Sequence, residues 1–106
     1  MTLNDIRDLL VSVDPDIKHY FSAAEGEAYS YWEETQRIPF VGNDRYPSGD
    51  EAWRFYVHRY TKTSGDQIAL AFFETLGEDV RTAVRWTIDF ENDTGYIHHI
   101  FECEGF

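Results

Sequence analysis

The sequence has few of the features that mark secreted, membrane or low-complexity proteins. Its 106 residues include one cysteine, Cys103, so no disulfide can form within the chain, as is typical of proteins in a reducing cytoplasm. No apolar run is long enough to span a membrane, and the N-terminus lacks the basic segment and apolar core of a signal peptide. These absences predict a cytoplasmic protein with no membrane partner.

Positive charge is also scarce. The chain has 9 Lys and Arg residues against 20 Asp and Glu residues, a formal net charge of −11, and its basic residues form no run. Binding to nucleic acid or to anionic lipid depends on clustered basic side chains, so we expect neither. The acidic charge fits a role in solubility or the binding of a basic partner surface.

Apolar and aromatic residues, in contrast, are plentiful. Hydrophobic residues make up 42% of the chain and aromatic residues 17%, which is too much for a disordered acidic tail. The length is that of one ordinary domain. The composition therefore predicts a single folded domain over residues 1–106.

Two segments, 2–13 and 65–76, have the periodicity of helices with one apolar face. Each is preceded by a capping-box pair, in which two side chains satisfy backbone N–H groups of the first turn. The two pairs are Thr2 with Asp5, and Ser64 with Gln67. Gly77 fits the left-handed position just beyond the second helix.

Four segments have the composition or alternation of β-strands: 27–34, 52–61, 82–91 and 96–104. Residues 17–21 are left open as a turn or the start of a strand. The predicted order is helix-strand-strand-helix-strand-strand. It indicates a two-layer α+β domain, with a four-stranded, mostly antiparallel sheet and helices on one face.

The second face of this sheet is unusually apolar. In the second strand, Trp53, Phe55 and Val57 are predicted to face the core, which leaves the alternate side chains for the other face. A long loop over 35–50 carries further apolar residues. Either a second copy of the chain covers this face or the loop folds over it. The candidate contact residues are Ile38, Phe40, Val41, Tyr46, Tyr56, His58, Tyr60, Tyr96, His98 and Ile100.

No catalytic, cofactor-binding or metal-binding motif is present. His58 and His98 would approach each other on neighbouring strands, and with Glu102 they would form a zinc-ligand set. No metal-ligand spacing in the sequence supports that set. We therefore expect no metal, no cofactor and no enzymatic activity.

With this order of elements, four segments carry a resemblance: Asn4–Leu10, Val57–Lys62, Asp66–Ala69 and Ile97–Glu104. The chain resembles the small tail-terminator and minor structural proteins encoded in the head–tail modules of tailed phages and prophages. The resemblance implies a ring-shaped homo-oligomer, commonly a hexamer, that ends tail growth and contacts other tail or connector proteins. It also implies a location in the bacterial cytoplasm and assembly into a virion or prophage particle.

Two alternative functions remain open from the residues. One is a ligand-binding or enzymatic domain with an aromatic pocket formed by Tyr31, Trp32, Trp53 and Trp86. The other is an acidic protein that binds a basic partner through one continuous acidic face.

Overall fold

The computed structural model describes residues 1–21, 23–24, 26–39 and 51–106. The described part contains two helices, α1 (Leu3–Val13) and α2 (Gln67–Glu78). It also contains five strands: β1 (Lys18–His19), β2 (Ala28–Arg37), β3 (Trp53–Thr61), β4 (Thr82–Phe90) and β5 (Ile97–Gly105). In this part of the chain, neither helix has the length and apolar character needed to cross a membrane.

The strands form one mixed sheet in the order β1-β2-β3-β5-β4. β1 is parallel to β2, with Lys18 opposite Tyr31 and His19 opposite Trp32, and every other neighbouring pair is antiparallel. The α+β class and the helices on one face are confirmed, but the predicted four-stranded sheet is wrong because β1 adds a fifth strand. A strand of two residues is too short to show an alternation of polar and apolar side chains, so the sequence could not assign residues 17–21.

β2 is longer than predicted. Its register with β3 shifts between Glu34 and Gln36, and pairing then continues to Arg37 opposite Trp53. The loop predicted to begin at residue 35 therefore begins at Ile38, whose backbone N–H donates to the carbonyl of Ala52. Residues 40–50 of that loop, which include the predicted contact residues Phe40, Val41 and Tyr46, lie outside the described residues.

The helix starts show one correct and one wrong prediction. The capping box of α1 is confirmed, since the Thr2 side chain accepts from the N–H of Asp5 and Asp5 accepts from that of Thr2. α2 instead begins after Asp66, whose carboxylate accepts from the N–H of Ala69. The predicted Ser64–Gln67 box is therefore wrong, and the predicted C-terminal Gly77 lies inside the helix.

A buried arginine fixes Asp66 in place. Arg59 lies on the helix side of β3, and its guanidinium donates to Asp66 at 2.9 Å and to the Ser30 hydroxyl at 3.2 Å. Asp14, just beyond α1, lies 3.6 Å from the same guanidinium. The group thus ties the end of α1 and the start of α2 to the sheet, and it explains why Asp66 rather than Ser64 caps α2.

The core lies between the two helices and one face of the sheet. Its fully buried side chains come from every principal element except β4: Ile6, Leu10, Trp32, Phe55, Val57, Ala69, Phe72, Leu76, Phe101 and Cys103. The predicted core-facing set of β3 is confirmed, with Phe55 and Val57 fully buried and Trp53 packed at the margin. This arrangement leaves the alternate residues of each strand on the face away from the helices.

Candidate functional site

We call the sheet face opposite the helices the outer face. Strand register arranges its side chains in four rows that cross β2, β3 and β5. The rows are Tyr29–Tyr60–His98, Tyr31–His58–Ile100, Glu33–Tyr56–Glu102 and Gln36–Arg54–Glu104. Five of the residues predicted as contacts, Tyr56, His58, Tyr60, His98 and Ile100, therefore lie together on one surface.

The rings of the first two rows stack across the strands. The Tyr29 and Tyr60 ring centroids are 4.8 Å apart with planes inclined by 5°, and the Tyr60 and His98 centroids are 4.0 Å apart. The Tyr31 and His58 rings stack at 4.5 Å. Cross-strand aromatic pairs stabilise a sheet, and here they also form a continuous aromatic surface.

A hydrogen-bonded chain of Glu33, His58 and His98 runs through this surface. His58 Nε2 lies 3.0 Å from a Glu33 carboxylate oxygen, and His58 Nδ1 lies 2.8 Å from His98 Nε2. A carboxylate only accepts, so the network assigns the proton of a neutral His58 to Nε2. His98 Nε2 then donates to His58 Nδ1.

The histidine pair does not become the zinc site considered from the sequence. Glu33 of β2, rather than Glu102, bonds His58. Within the described residues, no three His, Cys, Asp or Glu side chains are placed to hold a metal ion. The geometry instead gives the pair a role in holding neighbouring strands and rings in place.

Burial shifts the pKa values of His58, His98 and Tyr60 on the outer face toward their uncharged forms. Desolvation, together with the neighbouring His58, lowers the pKa of His98 to about 4. Desolvation also lowers the pKa of His58, although Glu33 opposes this shift. Burial raises the pKa of Tyr60. A surface of neutral rings loses little hydration energy when another apolar surface covers it.

Two further predicted contact residues lie at the margins of the outer face. Tyr96 is 6% exposed, and its hydroxyl donates to the carbonyl of Gly26 at 2.6 Å. Its ring meets Tyr29 and Tyr60 edge-on, so it supports the aromatic surface from one end. Ile38 is half-buried where the chain leaves β2.

The contribution of β2 was missed by sequence reasoning. Tyr29, Tyr31 and Glu33 belong to the outer face, yet the sequence indicated no side for them. Their alternate spacing in the chain was the available signal. Assigning these three residues to one face required the register of β2 against β3. That register could not be read from the sequence, because a long loop separates the two strands.

The four rings proposed for a ligand pocket do not line a single cavity. Tyr31 lies on the outer face, whereas its neighbour Trp32 is buried in the core against Phe55. Trp86 packs on the helix side against Phe73 and Phe101. Alternation along β2 separates Tyr31 from Trp32, so a pocket of the predicted composition cannot form.

A cavity of about 250 Å³ lies between the start of α2 and strands β4 and β5. Leu70, Trp86, Ile88 and His99 contribute to its lining. The Trp86 indole N–H donates to His99 Nδ1 at 3.1 Å, while the buried His99 Nε2 has no partner among the described residues. Its mostly apolar lining sets it apart from the hydrogen-bonded rings of the outer face.

Comparison with known proteins gives no family for this chain, since neither a scan of protein-family models nor a search of curated proteins finds a match. The outer face is therefore the feature from which a function is inferred.

Proposed function

We propose that this chain is a non-catalytic structural protein that binds further copies of itself through the outer face. In this proposal it is a tail terminator or neck component that forms a ring at the head–tail junction of a phage or prophage particle. The observation that carries the self-association is the stacked, neutral ring surface on the side of the sheet away from both described helices.

Physical chemistry favours a protein partner for such a surface. Small monomeric proteins rarely expose large contiguous apolar patches, and tyrosine is enriched where proteins meet. The outer face presents Tyr56, Tyr60 and Ile100, each half-buried by its neighbours and ordered before any contact forms. Ordered rings lose little conformational entropy on binding, which strengthens association.

The assignment to a phage particle is supported by the resemblance of the four segments and by the order of the elements. The helices and four long strands follow the expected order, with the short β1 added after α1. A ring is the closed form that repeated head-to-tail contacts between identical copies produce. We expect the gene to lie between capsid and tail-tube genes.

Self-association is tested by size-exclusion chromatography with light scattering over a concentration series. We expect the wild-type chain to be larger than 12.5 kDa and to grow in mass with concentration. The Tyr56→Arg variant places a charge on the outer face, between Glu33 and Glu102 of the adjacent strands, and should weaken this growth.

Val80→Arg is the matched control, because it adds the same charge at a fully exposed position between α2 and β4. It should associate as the wild type does. Equal behaviour of the two variants, with circular dichroism showing both folded, would contradict the use of the outer face. Negative-stain electron microscopy then tests the ring, since closed rings are expected and a compact dimer alone would refute the ring arrangement.

A further inference from the structure

The outer edge of β4 is a second surface available for association, distinct from the outer face. β4 ends the strand order and pairs with β5 through nine consecutive residues without a register shift. Among the described residues, no strand pairs with its other side. Its alternate backbone N–H and C=O groups therefore point outward, as they do along any unpaired antiparallel edge.

Natural sheets usually protect such an edge, and the two edges of this sheet differ in that respect. At the opposite edge, β1 is only two residues long, and a very short edge strand is a common protection. β4 contains no proline and no bulge. It also carries Ile88 and Phe90, which are 60% and 56% exposed.

The backbone restricts how β4 could pair with a second β4. In an antiparallel pair, residues opposite each other either both direct their backbone groups toward the partner strand or both direct them away from it. When β4 pairs with β4 of a second copy, the residue numbers of two residues that lie opposite each other must therefore differ by an even number. The two-fold axis then passes through a residue and not between two residues.

Charge favours the register whose two-fold axis lies at Thr87. Arg85 and Asp89 share one side of β4, both are exposed, and neither forms an ion pair with another described residue. Arg85 lies opposite Glu102 of β5 in register, yet their charged groups form no ion pair. An axis at Thr87 sets Arg85 of each copy directly opposite Asp89 of the other. An axis at Arg85 or at Asp89 would instead bring like charges together, which is destabilising.

The same register pairs the apolar residues on the helix side of β4. Trp86 of one copy lies opposite Ile88 of the other, and Val84 lies opposite Phe90. We propose that β4 pairs antiparallel with β4 of a second copy about a two-fold axis at Thr87, so that two sheets join into one. This contact uses an edge that the outer-face association does not need.

Charge exchange tests this pairing by sedimentation velocity, with every chain carrying Tyr56→Arg to weaken outer-face association. We expect a dimer in that background, weakened roughly tenfold or more by either Arg85→Asp or Asp89→Arg, because each sets like charges opposite each other twice. One variant then has Asp at both positions and the other has Arg at both. An equimolar mixture should restore the dimer, since every facing pair is again complementary.

Cysteine crosslinking tests the position of the axis. Cα atoms of directly opposite residues are about 4.5–5.5 Å apart, within the range of a disulfide. Thr87→Cys should therefore form a crosslinked dimer under mild oxidation. Ala83→Cys is the control, because it is exposed on the same side of β4 but lies eight residues, roughly 27 Å along the strand, from its symmetry mate.

The outcomes separate this contact from the outer-face association. A monomer in the Tyr56→Arg background, or a mixture that fails to restore the dimer, would overturn the β4 pairing. Neither result would contradict the proposed association through the outer face. Equal crosslinking of the two cysteine variants would also overturn it. If Tyr56→Arg leaves higher-order association intact while the charge variants act as expected, the β4 pairing stands and the outer-face proposal fails.

Discussion

Asp66→Asn separates the two functions of one carboxylate. Asp66 accepts from the N–H of Ala69 as the cap of α2, and it accepts from the Arg59 guanidinium at 2.9 Å. Only about a tenth of either charged side chain is exposed, 11% for Arg59 and 12% for Asp66. Asparagine caps a helix about as well as aspartate does, so this substitution removes the charge and retains the cap.

The expected loss follows from the buried arginine that remains. Removing one partner of a buried ion pair costs about 3–5 kcal/mol, mainly because the other charge is left uncompensated. Arg59 keeps Asp14 at 3.6 Å and the Ser30 hydroxyl at 3.2 Å, so we expect the lower end of that range, about 3 kcal/mol. For a domain of this size, such a loss lowers Tm by roughly 10–20 °C.

Urea unfolding at pH 7, followed by tryptophan fluorescence, measures the change in the free energy of unfolding. Asp66→Ala removes the cap as well and should cost about 1 kcal/mol more. Adding Arg59→Met and Asp14→Asn to Asp66→Asn should recover part of the loss, because all three charges of this buried group are then removed. If Asp66→Asn unfolds within about 0.5 kcal/mol of the wild type, as a surface substitution would, the reasoning is refuted.

Three further predictions concern the outer face and the core. The pKa of His98 in the folded chain, about 4, lies below the ordinary value of 6.5, so the unfolded chain binds more protons between these limits. The free energy of unfolding should be highest above pH 6.5 and should fall toward pH 4. Urea unfolding over this pH range should show a weaker fall for His98→Phe, and a fall as steep as that of the wild type would contradict the prediction. Burial raises the pKa of the Cys103 thiol, so at pH 8 a thiol reagent should react only as fast as the chain unfolds, and immediate reaction would disprove it. Phe101→Ala, in the core, should cost about 3–5 kcal/mol. Ile88→Ala, at an exposed position, should cost less than about 1 kcal/mol in dilute solution, and similar losses for the two variants would contradict the burial pattern.

Local patterns were sufficient for the elements whose stabilising groups are close in sequence. The α1 capping box depends on two residues three apart, and the alternation of β3 separates Phe55 from Tyr56 without knowledge of any other strand. Both predictions are confirmed. The outer-face positions of Tyr56 and Tyr60 follow from the same alternation.

Features set by distant contacts could not be predicted in this way. β1 exists because Lys18 and His19 pair with the middle of β2, and Asp66 caps α2 with Arg59 of β3 beside it. The bond from Glu33 to His58 likewise depends on the register of β2 against β3. Each of these contacts depends on tertiary structure, and residue spacing alone carries no signal for it.

The two faces of β3 are built from adjacent residues, and this links folding accuracy to recognition. A shift of one residue in its pairing would turn Phe55 and Val57 outward and bring Tyr56 and His58 against the helices. The misregistered molecule would lose both its apolar core and the aromatic surface of its outer face. If copies associate through the outer face as proposed, a native copy would find no matching surface on the misregistered molecule, and assembly would select correctly aligned sheets.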